Sequence, residues 1–280
     1  MLNLRWVVLL MVLTSLPFPK NARAQTGKAK PAQSQHALSL TPANNGQRVH
    51  ASVGQIIQVD LQALGSVRYT GPEISAPNIQ YRNSILFWPP NPGGSLPYYL
   101  FEATSPGVAR IQMPRNGGPG FDVTIDVRPA VGNPSSRLIL DQANTDNWTQ
   151  AWTTLANTLQ QDFIPSLPKL TNIEVELTVA NPGPAQGVVS LMLLNADGQG
   201  ILEADKTVTA DNCAHVRFVL PTGFEVSPGK TYSIQLSGGE GLFGWKYVAG
   251  GYNRGDASFN GKPLSKDVRS TFLFRTFGMQ

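Results

Sequence analysis

The sequence is poor in cysteine, histidine and charged residues, on which disulfide-stabilised and many catalytic proteins depend. Its 280 residues include one cysteine, Cys213, and three histidines, and charged residues make up only 14%. A single cysteine excludes an intramolecular disulfide, so buried apolar surface must hold the fold together. We predict that Cys213 is a small apolar core residue beside a strand, because free cysteines are usually buried.

The sequence also lacks the motifs of common enzyme classes. There is no Gly-x-Ser-x-Gly elbow, His-Glu-x-x-His zinc site, phosphate-binding loop or dinucleotide-binding glycine fingerprint. Cys213 and His215 share one face of a predicted strand, as do Glu174 and Glu176, but such same-face neighbours usually pack or face solvent. The Asp197-Gly198 segment lacks the further acidic ligands of a calcium loop. We therefore expect a protein that is not an enzyme and has no catalytic residues, metal or cofactor.

Long apolar runs are missing beyond the N-terminus. Arg5, the apolar run 6–13 and Ala22-Arg23-Ala24 have the order of a secretory signal peptide over residues 1–24. That run is too short to span a bilayer, and no later run is longer. We expect a secreted or periplasmic protein, of a kind common in bacteria, with no membrane span after signal cleavage.

The charge of the chain without the signal peptide is close to neutral. Residues 1–24 contain three basic residues and no acidic ones, so 19 basic and 18 acidic residues remain and the net charge is +1. Nucleic-acid binding requires clustered Lys and Arg, and this balance argues against a nucleic-acid partner.

Turn-forming residues are abundant, with 27 glycines and 22 prolines, and this excludes a helical bundle. Residues 25–37 have no apolar periodicity and are predicted to be a disordered leader. Apolar and polar residues then alternate in short segments separated by turn signals, which is typical of all-β proteins. We predict an N-terminal sandwich over 38–128, a linker over 129–137 rich in turn-formers, and a second sandwich over 138–280.

One segment departs from the strand pattern. Trp148, Trp152, Leu155 and Leu159 have helical spacing, and Asp146 precedes them as a possible N-cap. The spacing predicts a short helix over Asn147–Leu159 that closes one end of the second sandwich.

Two segments of the first unit, Phe101–Ile111 and Phe121–Val127, have the alternating pattern of the last strands of many secreted sandwiches. In these segments the first unit resembles bacterial immunoglobulin-like domains and, more distantly, the chagasin-type cysteine-protease inhibitors. The inhibitory loops of that family have no counterpart in sequence, since Leu64–Tyr69 and Pro114–Gly118 stand in their places. The resemblance implies an Ig-like sandwich, and it keeps protease inhibition open as an alternative function.

The most specific part of the second unit runs from Gly244-Trp245 through Tyr252 and Gly255-Asp256 to Phe272–Gly278. In this part the second unit resembles secreted jelly-roll β-sandwiches of the galactose-binding-like and carbohydrate-binding kind. The resemblance implies a module for adhesion, sugar binding or spacing.

Candidate ligand-binding residues are concentrated in the same segment. Carbohydrate sites combine exposed aromatic rings with amide, acid or Arg groups that bind hydroxyls. The candidates of these types are Trp245, Tyr247, Tyr252, Asn253, Arg254 and Asp256. In the alternative interpretation, Trp245 and Tyr247 point into the core and residues 252–256 form only a turn. The loop 90–94, between Trp88 and Tyr98, is a second candidate surface, for a protein partner.

We therefore expect an exported, non-catalytic recognition or adhesion protein whose partner is a glycan or an envelope protein. The alternatives are a chagasin-like cysteine-peptidase inhibitor and a structural spacer subunit of an envelope assembly.

Overall fold

Alternating apolar and polar residues build this chain into strands that cover most of the described sequence. The structure is a computed structural model, and it describes residues 37–61, 69–87, 98–130, 138–145, 151–181, 183–265 and 269–279. The strands of the first half are β1 (Leu38–Leu40), β2 (Arg48–Ser52), β3 (Ile56–Asp60), β4 (Glu73–Ile74), β5 (Ile79–Phe87), β6 (Tyr98–Ala103), β7 (Gly107–Met113) and β8 (Phe121–Arg128). Those of the second half are β9 (Ile139–Asn144), β10 (Ala151–Thr154), β11 (Leu159–Phe163), β12 (Lys169–Val179), β13 (Ala185–Leu194), β14 (Gly200–Ala210), β15 (Cys213–Glu225), β16 (Tyr232–Gly238), β17 (Phe243–Ala249), β18 (Ala257–Phe259), β19 (Lys262–Pro263), β20 (Ser270–Phe272) and β21 (Phe274–Met279).

The first sandwich packs the sheet β2-β8-β7-β4 against β1-β3-β6-β5. In β8, Phe121, Val123, Ile125 and Val127 are buried, while the residues between them are more exposed. They pack with inward-facing residues of the opposite sheet such as Ile57 in a single apolar cluster. A period of two therefore directs one face of each strand inward, as the sequence predicts.

The second sandwich has a larger core. One of its sheets contains β14, β13, β16 and β11, and the other contains β15, β12, β21 and β17. Between them lie the buried aromatic residues Phe163, Trp245, Phe272 and Phe274. These rings fill the space that smaller aliphatic side chains leave between the two sheets.

One sheet continues from the first sandwich into the second. Strand β5 pairs antiparallel with β14, with Phe87 opposite Leu202 and Ile85 opposite Ala204, and this joins ten strands in one sheet. Ile79 at the start of β5 belongs to the first core, whereas Ile85 belongs to the second. The two sandwiches predicted from the sequence are thus parts of one hydrogen-bonded framework.

The all-β class is confirmed, since strands make up the regular structure of the described residues apart from two short 3-10 turns. The hairpin predicted at 195–200 joins β13 to β14, where Gly198 has φ of 73° and its N–H donates to the Asn195 carbonyl. Left-handed φ values favour glycine, so the Asp-Gly sequence suits this turn. The immunoglobulin-like and jelly-roll assignments remain predictions.

The predicted helix is wrong over its described part. Residues 151–154 form β10 and Leu159 begins β11, with a turn between the two strands. Leu155 and Leu159 are buried as expected, but Trp152 is exposed. The helical spacing arises because a turn separates two short strands, and pairing with β17 and β16 outweighs local propensity.

The prediction that Cys213 is a core residue is also wrong. Cys213 begins β15 and is exposed, because the inward-facing positions at this end of the strand start with Val216. His215 lies on the same outer face, opposite Glu176 of β12.

Several predictions lie outside the described residues. They concern the signal peptide 1–24, the leader 25–37 except its last residue, positions 131–137 of the linker 129–137, the loop 90–94 with Trp88, Trp148 and most of 64–69. In the described part of the chain, no helix is long and apolar enough to cross a membrane.

Candidate functional site

Trp245 was expected to offer an exposed ring, and that expectation is wrong. It is 0% exposed, stacks on Phe272 with 4.4 Å between ring centroids, and donates its Nε1–H to the Leu273 carbonyl at 2.8 Å. Strand β17 directs Phe243 and Trp245 inward together. This agrees with the alternative interpretation of Trp245 as core, and no ligand can stack on a ring that is fully covered.

Three of the other predicted residues come together in an open depression that we call the polar cleft. Its volume is about 460 Å³. Its lining residues are Asp141, Gln142, Ala143, Asn144, Thr145, Ser166, Gly251, Tyr252, Asn253 and Arg254. They come from β9, the β11–β12 loop and the loop after β17, so the sandwich frame fixes their relative positions.

Gln142 is the centre of the hydrogen-bond network in the polar cleft. Its Oε1 accepts from the Tyr252 hydroxyl at 2.9 Å and from Arg254 Nη1 at 3.0 Å, while its Nε2 donates to Ser166 Oγ at 2.7 Å. Gln142 is itself buried. A buried amide with both ends bonded cannot rotate freely, so the cleft is organised before any ligand arrives.

Tyr252 has a structural role rather than that of an exposed platform. Tyr252 is only 7% exposed, and its ring packs edge-to-face on Phe274 with 5.1 Å between the ring centroids. Burial raises the pKa of its hydroxyl, and the hydrogen bond from the Ile164 N–H and the charge of Arg254 oppose that rise. Tyr252 therefore supports the cleft floor, whereas Asn253 and Arg254 are exposed to solvent.

Asp256 anchors the loop that carries these residues. Its carboxylate pairs with Arg269 at 2.9 Å, and Arg269 also donates to the carbonyls of Asn253 and Gly255. The Asp256 carbonyl accepts from the N–H of Asp162 in β11 at 2.9 Å. Asp256 thus holds the loop in place and does not line the cleft.

Tyr247 lies in a different depression, which we call the aromatic groove. Its volume is about 570 Å³. Its lining residues are Trp152, Thr153, Tyr247, Phe259, Lys262, Pro263 and Leu264. They come from the edge strand β10, the end of β17 and the β18–β19 hairpin, where the two sheets of the second sandwich leave an opening.

Trp152 is the most exposed aromatic residue of this groove, at 46%. Its indole lies against Gly244, where an added Cβ would collide with the ring. Lys246 lies directly opposite Trp152 in the pairing of β10 with β17. Its Nζ forms an ion pair with Glu176 Oε1 at 2.7 Å. Trp152 therefore offers the groove a half-exposed aromatic ring, the kind of surface that covers the apolar face of a sugar.

Sequence reasoning missed part of both sites. It assigned Trp152 to a helix, and it had no signal that Gln142 and Ser166 meet Tyr252 or that Phe259 lies near Tyr247. The alternation Ala151-Trp152-Thr153 fits a strand as well, but only the pairing with β17 decides between the two. Among the described residues, no group of three His, Cys, Asp or Glu side chains could hold a metal ion.

No protein-family model matches the sequence, and no curated protein matches it. Among solved structures, the cysteine protease inhibitor EhICP2 from Entamoeba histolytica is similar over 33% of this chain and 96% of its own, with 14% identity and a TM-score of 0.28. Amebosin is similar over 33% of this chain and 98% of its own, with 17% identity and a TM-score of 0.23. A carbohydrate-binding module of the β-sandwich superfamily, described as promiscuous in its specificity, is similar over 78% of this chain and 99% of its own, with 10% identity and a TM-score of 0.21. At these TM-scores the likenesses carry no argument about function.

Proposed function

We propose that this chain is an exported, non-catalytic recognition protein that binds carbohydrate in the aromatic groove. The observation that supports the proposal is that half-exposed Trp152 shares one groove with Tyr247 and Phe259. Flat aromatic surfaces cover the apolar faces of sugar rings. Thr153 and Lys262 in the same groove offer polar groups for hydroxyls.

A glycan array with the wild type and Trp152→Ala tests this proposal. We expect the wild type to bind a set of glycans and Trp152→Ala to lose at least about tenfold in affinity, because it removes the stacking surface. Trp152→Phe keeps an aromatic ring and should retain part of the binding.

The matched control for this experiment is Val188→Ala, which shortens an exposed apolar side chain on another strand. It should leave binding unchanged. If the wild type binds no glycan, the proposal is wrong and a spacer role takes its place. If Trp152→Ala binds as well as the wild type, sugar recognition does not occur in the aromatic groove.

A second candidate function, inhibition of a cysteine peptidase, is favoured by one local observation. Tyr69 and Arg115, one residue from each of the segments that stand in place of the inhibitory loops, form a bridge, and the Arg115 guanidinium lies 5.8 Å from the Tyr69 ring centroid. The Thr70 N–H also donates to the Pro114 carbonyl at 2.9 Å. Titration of a papain-like protease with the full chain tests this function, and unchanged protease activity at excess chain would reject it.

A further inference from the structure

Arg254 differs from the other arginines of the second half in what it binds. Arg217 and Arg275 pair with Glu174, and Arg269 pairs with Asp256. No carboxylate of the described residues pairs with Arg254. Its Nη1 instead donates to two neutral acceptors, Gln142 Oε1 at 3.0 Å and Ser166 Oγ at 3.4 Å.

Neutral acceptors position a guanidinium without compensating its charge. Gln142 is buried and its amide is bonded at both ends, so its Oε1, which accepts the hydrogen bond from Arg254 Nη1, is held in place. Arginine presents five donors in a planar fork, and Nη1 is the only nitrogen of Arg254 with a hydrogen bond in the described part of the chain. The remaining donors match the two oxygens of a carboxylate.

Asp141, the acid among the lining residues of the cleft, forms no ion pair with Arg254. Asp141 Oδ1 accepts from the backbone N–H groups of Ser166 and Leu167 at 2.7 and 2.9 Å, and its Oδ2 accepts from the Thr276 hydroxyl at 3.2 Å. Its oxygens therefore serve to fix the β11–β12 loop. The neighbouring Asn253 is exposed, and its side-chain amide makes no hydrogen bond to another described residue, so it is available for a ligand hydroxyl.

We propose that the polar cleft binds the carboxylate of an acidic sugar, with Arg254 recognising the charge and Asn253 a neighbouring hydroxyl. The cleft volume of about 460 Å³ and its polar lining suit a ligand with many hydroxyls rather than an apolar one. The inference rests on the proposed function for its ligand class, carbohydrate, but it concerns a different site from the aromatic groove.

The test measures the affinity of the full chain for matched acidic and neutral sugars by calorimetric titration. The probes are galacturonate against galactose and glucuronate against glucose, with acetate as a carboxylate that carries no sugar. We expect one uronate to bind at least about tenfold more tightly than its neutral partner, and its affinity to fall as salt is raised. Acetate should bind more weakly than that uronate, because it has no hydroxyls.

Variants then assign the binding to the cleft. Arg254→Gln should remove the preference for the uronate, and Arg254→Lys should keep only part of it because the planar fork is lost. Arg217→Gln, which removes a paired surface arginine, is the matched control and should retain the preference. Melting temperatures close to that of the wild type confirm that the variants are folded.

Three results would overturn the inference: equal affinity for uronates and neutral sugars, a preference that survives in Arg254→Gln, or acetate binding as tight as that of the uronate. Trp152→Ala separates this inference from the proposed function. If the aromatic groove binds nothing, uronate binding in Trp152→Ala still supports the cleft. If the cleft inference fails, glycan binding that depends on Trp152 is unaffected.

Discussion

Individual side chains in the second sandwich have opposite roles despite similar chemistry, as Trp152 and Trp245 show. Trp245 is fully buried and stacked on Phe272, whereas Trp152 is half-exposed at a sheet edge. We expect Trp245→Ala to lower the free energy of unfolding by about 3–5 kcal/mol, because it opens a cavity and removes the hydrogen bond to Leu273. Trp152→Ala should lower it by less than Trp245→Ala does, because about half of the Trp152 side chain already faces solvent.

Urea unfolding of both variants measures this contrast. The matched reference is Trp245→Phe, which keeps a ring in the core and should cost less than Trp245→Ala. Equal losses for Trp152→Ala and Trp245→Ala would contradict the assignment of one ring to the groove and the other to the core.

One partly buried lysine should make a pH-dependent contribution to the stability of the fold. Lys206 Nζ donates to the carbonyls of Arg82 and Arg217, each at 2.9 Å. Burial, followed by the positive charges of Arg82 and Arg217, lowers the pKa of Lys206 from 10.5 to about 8. Between these two values the unfolded chain holds the proton and the folded chain releases it, so the contribution of Lys206 to stability rises with pH.

Lys206→Met should remove this pH dependence. From about pH 7 to about pH 9.5, the wild type should gain on the order of 2 kcal/mol in free energy of unfolding relative to Lys206→Met. Lys230→Met, at an exposed lysine, is the control and should follow the wild type. The same pH dependence in wild type and Lys206→Met would show that Lys206 is not the source.

At the scale of elements, the loop 250–256 depends on a close approach to β11. A Cβ added at Gly255 would collide with the backbone of Asp162, whose N–H bonds to the Asp256 carbonyl. We expect Gly255→Ala to cost about 2 kcal/mol or more in stability and to weaken uronate binding, because the loop that carries Arg254 must move. Thermal unfolding and the sugar titration measure the two effects.

Gly71→Ala is the control for this prediction, since a Cβ there meets nothing within 4 Å. It should change neither stability nor binding. If Gly255→Ala is as stable as Gly71→Ala, the loop does not need its close approach to β11.

Strands are predictable from the sequence where apolar and polar residues alternate strictly. They are not predictable where the spacing of the apolar residues fits both one helix and two short strands. Alternation in Phe121–Val127 gives β8 and its buried face directly. The stripe of Trp152, Leu155 and Leu159 fits a helix equally well, and only strand pairing excludes it. Gln142, Ser166 and Tyr252 are far apart in sequence, so their contact follows from the order of strands in the sheet, which no local pattern contains.

At the scale of the whole molecule, the two halves share a sheet. The sequence indicates a boundary at 129–137, because proline and glycine there follow the last strand of the first half. The pairing of β5 with β14 connects segments more than a hundred residues apart. No local signal in Ile85 or Ala204 specifies that partner, since both residues would also suit a strand covered within its own half.

The side chain of Asn83, in the first half, is hydrogen-bonded to the backbone of the second half. It is 0% exposed, its Nδ2 donates to the Val219 carbonyl at 3.0 Å, and its Oδ1 accepts from the Val219 N–H at 2.8 Å. The amide thus bonds to the backbone of β15 as a neighbouring strand would. Replacing it by Leu leaves a buried N–H and a buried carbonyl without these partners, at a cost of about 2–4 kcal/mol.

This linkage predicts that both halves unfold together. Calorimetry of the wild type should give one transition whose calorimetric and van't Hoff enthalpies agree. Asn83→Leu should lower its midpoint or split it into two transitions, because the junction is weakened while each core remains intact. Ser84→Ala, at the next position of the same strand, should leave the transition single and shift it little. Two separate transitions in the wild type would mean that the shared sheet does not couple the halves.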